Sequence, residues 1–293
     1  MSEAGTPVQD HSALLDEEYW KKLCPGLHVV DRASVGNLQT IGLDDASAAA
    51  IQTQLVREGY IHAPQVEWGI DFAPLADAVS TLVSRRIPPP FAYIYDEFWL
   101  VFYKLHNVFQ ALLGPSYKVL PDFWIWHVDP KTAESGWQPH RDKGWFALFE
   151  DGSPKALTVW LPLTQATPLN GCMYIVPADR DPTYGTENDK EWKFQFSDIR
   201  ALPADPGDLF IWNQAVLHWG SHSSPRAPHP RISMAFEFQR GDIEPYNKPL
   251  IEPLTFLTFE QRLKLVCKQI LQYRHMYPLD PDLEAFARKT IGA

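Results

Sequence analysis

The chain has 293 residues and, with 26 Lys and Arg against 36 Asp and Glu, a formal charge of −10. Apolar residues at 45% and charged residues at 21% exclude a disordered or fibrous chain. The acidic balance argues against nucleic acid and against anionic membrane surfaces as partners, since both demand basic patches.

The N-terminal stretch MSEAGTPVQDHSALLDEEYW has no basic region followed by an apolar core, so no signal peptide is expected. Residues 44–59 open on acidic side chains and run through good helix formers, which predicts a helix. Residues 71–85 space Leu75, Val79 and Leu82 at helical intervals, and Pro88–Pro90 end that segment. Residues 91–113 are aromatic and apolar almost all round, which predicts one long helix buried against a sheet. After Gly114 the texture changes to short β-rich runs at 117–127, 156–163, 172–177, 208–213 and 231–239, separated by turn residues. The stretch 178–200 is polar and reads as a surface excursion. Helical patterns return at 259–276 and 281–289.

The expected architecture is mainly β with flanking helices. It is read as a single domain over 1–293, with a helical part at about 1–115, a β core at about 115–240 and a helical part at about 241–293. The 26 prolines, well above an average share of roughly 5%, suit a loop-rich β structure. The 11 tryptophans suit a large core or a cavity wall. Cys24, Cys172 and Cys267 form no CxxC pair, which argues against a structural zinc site and for reduced thiols in a cytoplasmic protein. No apolar run approaches the roughly 20 residues that span a bilayer.

Signatures for nucleotide hydrolysis, dinucleotide binding, zincins and α/β-hydrolases are absent. What remains is WQPHRDKGWF. On an extended backbone, His140 and Asp142 at i and i+2 share a face and supply two-thirds of a two-histidine, one-carboxylate metal site. A surface His–Asp pair is the bland alternative. Downstream, His218 and its rival His222 are candidates for the third ligand. Arg231 and Ser233, again at i and i+2, offer a guanidinium and a hydroxyl suited to a carboxylate.

These residues, in this order, resemble the phytanoyl-CoA dioxygenase family of iron(II)- and 2-oxoglutarate-dependent oxygenases. The resemblance rests on QPHRD at 138–142, TVWLPLTQATPLNGCMYIVP at 158–177, PGDLFIW at 206–212, LHWGS at 217–221 and PRIS at 230–233, and it covers about 115–240. It implies a double-stranded β-helix, the cupin-like jelly roll. It implies that His140, Asp142 and His218 hold Fe(II) and that Arg231 pairs with the distal carboxylate of 2-oxoglutarate. The family's nearby serine falls to Ser221 or Ser233, because Gly220 stands at the usual place. Trp160 is implied as a cavity wall and Asn170 as a support of the site; Gln138, just before the motif, is placed to hydrogen-bond 2-oxoglutarate or substrate. The implied activity is oxidation, foremost hydroxylation, of a small organic metabolite, with O2 consumed and succinate formed. A carboxylate at 142, where related halogenases have a small residue, favours hydroxylation, desaturation or ring formation over halogenation. A non-catalytic jelly-roll metal- or ligand-binding protein is the alternative, a hydrolase or isomerase using another metal is a third, and a homo-oligomer stays open.

Overall fold

The computed structural model describes residues 11–33, 38–132 and 134–293. Part of the stretch read as lacking a signal peptide, residues 1–10, lies outside the described residues. The strands in chain order are β1 (Tyr60–Ala63), β2 (Lys118–Val128), β3 (Ala156–Pro162), β4 (Met173–Val176), β5 (Arg200–Leu202), β6 (Leu209–Asn213), β7 (Leu217–Gly220) and β8 (Arg231–Gln239). The helices are α1 (Glu17–Leu23), α2 (Asp45–Glu58), α3 (Ala73–Ser84), α4 (Asp96–Lys104), α5 (His106–Leu113), α6 (Phe259–Gln272) and α7 (Pro281–Ile291). Among the described residues no helix is long and apolar enough to cross a membrane.

Two antiparallel sheets face each other as a jelly roll. The larger runs β1-β6-β3-β8-β2 and the smaller β5-β4-β7. Alternation along the strands divides the side chains of the large sheet between two cores. On β8, Ile232, Met234, Phe236 and Phe238 pack outward into the helical layer. Ring contacts anchor that layer: Phe109 lies 3.7 Å from Phe238 and Tyr93 lies 4.4 Å from Phe123, centroid to centroid. Arg231, Ser233, Ala235 and Glu237, the other set, turn toward the small sheet. There Trp160, Phe210, Trp212, Met173 and Ile175 form the inter-sheet core. The aromatic excess thus serves both a helix-to-sheet core and the wall between the sheets.

The helices predicted at 44–59 and 71–85 are α2 and α3. Asp44 caps α2 by accepting from Ser47 N–H at 2.7 Å, as a short acidic side chain does at an N-cap. The single helix expected over 91–113 is corrected. Pro89–Ile94 form a 3-10 turn, Tyr95 is extended, and α4 and α5 break at Leu105. Tertiary bonds impose the breaks. Tyr93 Oη donates to Ala235 O and Tyr95 Oη to Trp20 O, each at 3.0 Å. Asp96, buried, accepts from the amides of Val30 and Asp31 and pairs with Arg262 of α6. Apolar periodicity cannot foresee such bonds, and tertiary context overrides propensity.

Strands β1, β5 and β7 were not predicted. β1 lies in the stretch read as helical, yet it pairs with β6, Ile61 opposite Ile211. All three are four residues or fewer, too short for a period-2 signal.

Candidate metal centre

The small sheet sets the geometry of the two histidines. On β7, His218 stands opposite Ile175 of β4. On its other side it forms an isolated bridge with His140, the two backbones exchanging N–H···O bonds at 3.0 Å each. The HxD segment is therefore not the regular strand expected. Only His140 is paired, and the chain bends through 141–143. That bend carries Asp142 across to the large sheet, where its Oδ2 accepts from Thr158 Oγ1 at 2.6 Å and from Trp212 Nε1 at 3.1 Å.

Backbone carbonyls orient both imidazoles. His140 Nδ1 lies 2.6 Å from Gln138 O and His218 Nδ1 3.1 Å from Val216 O. A carbonyl only accepts, so each Nδ1 carries the proton and each Nε2 presents a lone pair. Those Nε2 atoms lie 3.4 and 3.5 Å from Asp142 Oδ1, the oxygen that Thr158 and Trp212 leave free. His140 Nε2 is buried and makes no hydrogen bond. The three ligand atoms fall within 4.8 Å of one another. Two neutral nitrogens and one carboxylate oxygen, each fixed from behind, fit a ferrous ion with open coordination positions.

Charge supports the fit. Burial depresses His218 to about 4, against the opposing pull of Asp142, so it is neutral and ready to ligate. Burial alone would raise Asp142, but His218, His140 and the Thr158 hydroxyl hold its carboxyl well below the usual carboxylate range. Burial opposes a charge on His140 too, yet the Asp142 carboxylate outweighs it and the imidazole is raised above its ordinary value.

Arg231 is 1% exposed on the same cavity. It donates to Ser233 Oγ, and its guanidinium carbon lies 5.9 Å from the Trp160 ring. Among the described residues no carboxylate pairs with it. Burial lowers its pKa to about 10, so it stays a cation at neutral pH. A buried guanidinium without an anion is costly. Its Nε and the indole Nε1 atoms of Trp126, Trp137 and Trp160 are buried without acceptors. Arg231 and these three rings border one chamber of about 40 Å³, which is a donor-rich place for an anion. Gly136 and Gly220 make the room: a Cβ at Gly136 would stand 2.9 Å from Arg231 Nη2, and one at Gly220 2.8 Å from Gly136 Cα. That close approach explains why no serine stands at 220.

The other predicted residues separate. Ser233 contacts Arg231, whereas Ser221 follows β7 and donates its backbone N–H to Cys172 O at 3.3 Å. Trp160 borders the chamber. Asn170 does not: it closes the β3–β4 loop, donating to Gln165 O at 2.8 Å and accepting from Thr167 N–H at 2.7 Å. The Gln138 side chain is exposed at the outer mouth, and its carbonyl is the part that orients His140. The rival His222 is exposed and outside the donor cluster. Burial pushes the Cys172 thiol up to about 11, so it is inert.

Sequence reasoning missed two groups. Thr158 and Trp212 fix Asp142; Thr158 was legible as the i−2 neighbour of Trp160 on one strand face. Lys143, Gln214 and Glu237 form a second buried network. Lys143 Nζ and Gln214 Nε2 donate to Glu237 Oε2 at 3.1 and 2.8 Å. Burial pushes Glu237 up to about 8, with Lys143 pulling against it and Asp122 and Asp142 adding repulsion. The signal for Glu237 was its place in the 231, 233, 235, 237 alternation.

Arg141, between the ligands, points away from them, held by bonds on the far side of the bend. It donates to Asp181 Oδ2 at 2.5 Å, to Ala215 O at 2.6 Å and to Asp189 O at 2.9 Å. The 178–200 stretch read as a surface excursion therefore buries Asp181, Thr183 and Asp189 and braces the ligand loop.

A family model described as phytanoyl-CoA dioxygenase matches residues 79–227, just over half of the chain. Among solved structures, the chain is similar to the non-heme alpha-ketoglutarate-dependent epimerase SnoN from nogalamycin biosynthesis (18% identity, 72% of this chain and 92% of that one, TM-score 0.53). It is also similar to the nickel complex of the non-heme monooxygenase ThoJ (14%, 78% and 100%, TM-score 0.54) and to the carbocyclase SnoK from nogalamycin biosynthesis (15%, 72% and 97%, TM-score 0.52). At these identities the likeness establishes the jelly-roll fold.

Proposed function

The chain belongs to the phytanoyl-CoA dioxygenase family of iron(II)- and 2-oxoglutarate-dependent oxygenases, and we propose that it hydroxylates a small organic metabolite. The balance is one substrate C–H, one O2 and one 2-oxoglutarate giving C–OH, succinate and CO2. Bound iron with 2-oxoglutarate supplies the activation of O2.

In this reading His140, Asp142 and His218 are the iron ligands. Thr158 and Trp212 hold Asp142 with one oxygen free, and the Gln138 and Val216 carbonyls keep both histidines in the ligating tautomer. Arg231 takes the distal carboxylate of 2-oxoglutarate, with Ser233 orienting its guanidinium. The Trp126, Trp137 and Trp160 rings exclude water and donate N–H to the same anion. The protein's contribution is positioning and a dry, preorganised field. The carboxylate at 142 supports hydroxylation, desaturation or ring formation over halogenation, because it occupies the place an added halide would need.

The observation that carries the reading is the buried Arg231, unpaired and on the same chamber as three convergent metal-ligand atoms. Succinate release from 2-oxoglutarate under O2, stimulated by a metabolite in a screened set, tests it. Release that requires iron and is lost in Asp142→Ala is expected. Iron and 2-oxoglutarate binding with no succinate from any condition would instead mark a binding module.

A further inference from the structure

The cavity has two chemically distinct ends. Near Arg231 the unpartnered groups are donors, Arg231 Nε and the indole N–H groups of Trp126 and Trp137, which suit a dianion. Between the inner chamber and the outer mouth the groups are acceptors. Glu237 borders both spaces, is 8% exposed, and takes its hydrogen bonds on Oε2 alone. Gln214, which donates one of them, is fully buried with its own Oε1 lacking a donor. Asp122 borders the inner chamber at 2% exposure. Its partners are the neutral amides of Asn247 and Gln272, at 2.8 Å.

Of these two buried carboxylates, Glu237 contacts a cation, Lys143, and among the described residues Asp122 contacts none. Lys268 reaches Asp122 through Asn247, to whose Oδ1 it donates at 2.7 Å. Aromatic faces stand beside these acceptors. The Tyr273 ring is 4.8 Å from Trp137 and 5.0 Å from Trp124, and all three border the chamber. Ring faces attract a cation through their quadrupole, and buried acceptors short of donors are costly until something donates to them. Burial pushes Glu237 up to about 8; a cation docked beside it favours the ionised, accepting form, whereas a second anion would push it further up. The complement is a small cation bearing N–H.

We propose that the primary substrate carries a protonated amine, donated to Glu237 Oε1, with its apolar part against Trp137 and Tyr273. This rests on the oxygenase reading, because it assigns the end of the cavity that iron and 2-oxoglutarate leave. The test is calorimetric titration of the anaerobic Fe(II)·2-oxoglutarate protein with benzylamine, benzyl alcohol and phenylacetate, which share a ring and differ in charge. Benzylamine is expected to bind at least about tenfold tighter than either, about 1.4 kcal/mol, and Glu237→Gln to shrink that preference to about twofold. Benzyl alcohol or phenylacetate binding as tightly, no binding of any of the three, or a preference surviving in folded Glu237→Gln overturns the proposal. The wild-type ratios decide the matter even where the variant does not fold. Failure of 2-oxoglutarate itself to bind in the loading titration would mark failure of the oxygenase reading instead.

Discussion

A histidine two positions before an aspartate ligates a metal only if both atoms are aimed and neither is spent elsewhere. Here the aim comes from groups that chain order does not reveal: the Gln138 and Val216 carbonyls behind the imidazoles, and Thr158 and Trp212 on the far oxygen of Asp142. The three residue types and their order were legible in the sequence. The supports were not, because they depend on which strand lies opposite which. The charge states have a consequence for metal uptake. His140 is raised above its ordinary value while His218 sits near 4. Below the His140 pKa a proton competes with the metal, so affinity rises with pH by about tenfold per unit and levels off above it. His218, neutral throughout, adds no second proton to that slope. Anaerobic Fe(II) titrations between pH 6 and 8 should show affinity rising with pH from the acid end; a flat profile would contradict this account of His140. At the other end of the chamber, Arg231→Ala removes the one buried cation that, among the described residues, borders the cosubstrate end. KM for 2-oxoglutarate should rise by about a hundredfold or more, the scale of about 3 kcal/mol for a charge-assisted pair, with a much smaller change in KM for the primary substrate. Steady-state kinetics varying each in turn checks it, and equal effects on both would assign Arg231 another task.

Elements were legible where they were long or, like β4, apolar and set off by turn residues. The helices at 45–58 and 73–84 and the strands at 118–128, 156–162, 209–213 and 231–239 carry clear periodicity and turn signals. The single helix over 91–113 failed because Tyr93, Tyr95 and Asp96 satisfy partners on other elements, and β1, β5 and β7 are too short to announce themselves. The 178–200 stretch misled for a related reason. A polar segment reads as surface unless its partner is known, and the partner here is Arg141, forty positions away. That contact ties the bend between the two ligands to a loop. The Arg141 and Asp181 side chains are 5% and 0% exposed, so Arg141→Ala strands a buried carboxylate and should cost about 3 to 5 kcal/mol. It should also weaken iron binding, since the bend that carries Asp142 loses its brace. Urea unfolding and metal titration of the same variant test both, and an unchanged midpoint would show that the loop does not brace the site.

At the scale of the whole molecule, the jelly roll was anticipated from β-rich texture and motif order, and so was the packing of helices on a sheet; that the C-terminal flank reaches the cavity was not. The aromatic layer between helices and large sheet holds the strands whose other faces form the cavity. The C-terminal segment supplies Tyr273 directly to the chamber. Arg262 of α6 locks this arrangement, being 1% exposed and bonded to Asp96 and to Ile94 O. Arg262→Ala should therefore destabilise the protein by about 3 to 5 kcal/mol, read by urea unfolding. A loss below about 1 kcal/mol would mean that α6 does not depend on this pair. The most direct test of the account as a whole mixes the protein with Fe(II) and 2-oxoglutarate without O2 and records the visible spectrum. A weak charge-transfer band that saturates at one iron per chain, and disappears in Asp142→Ala, is expected. Bound iron with no such band, or a band undiminished by Asp142→Ala, would contradict it.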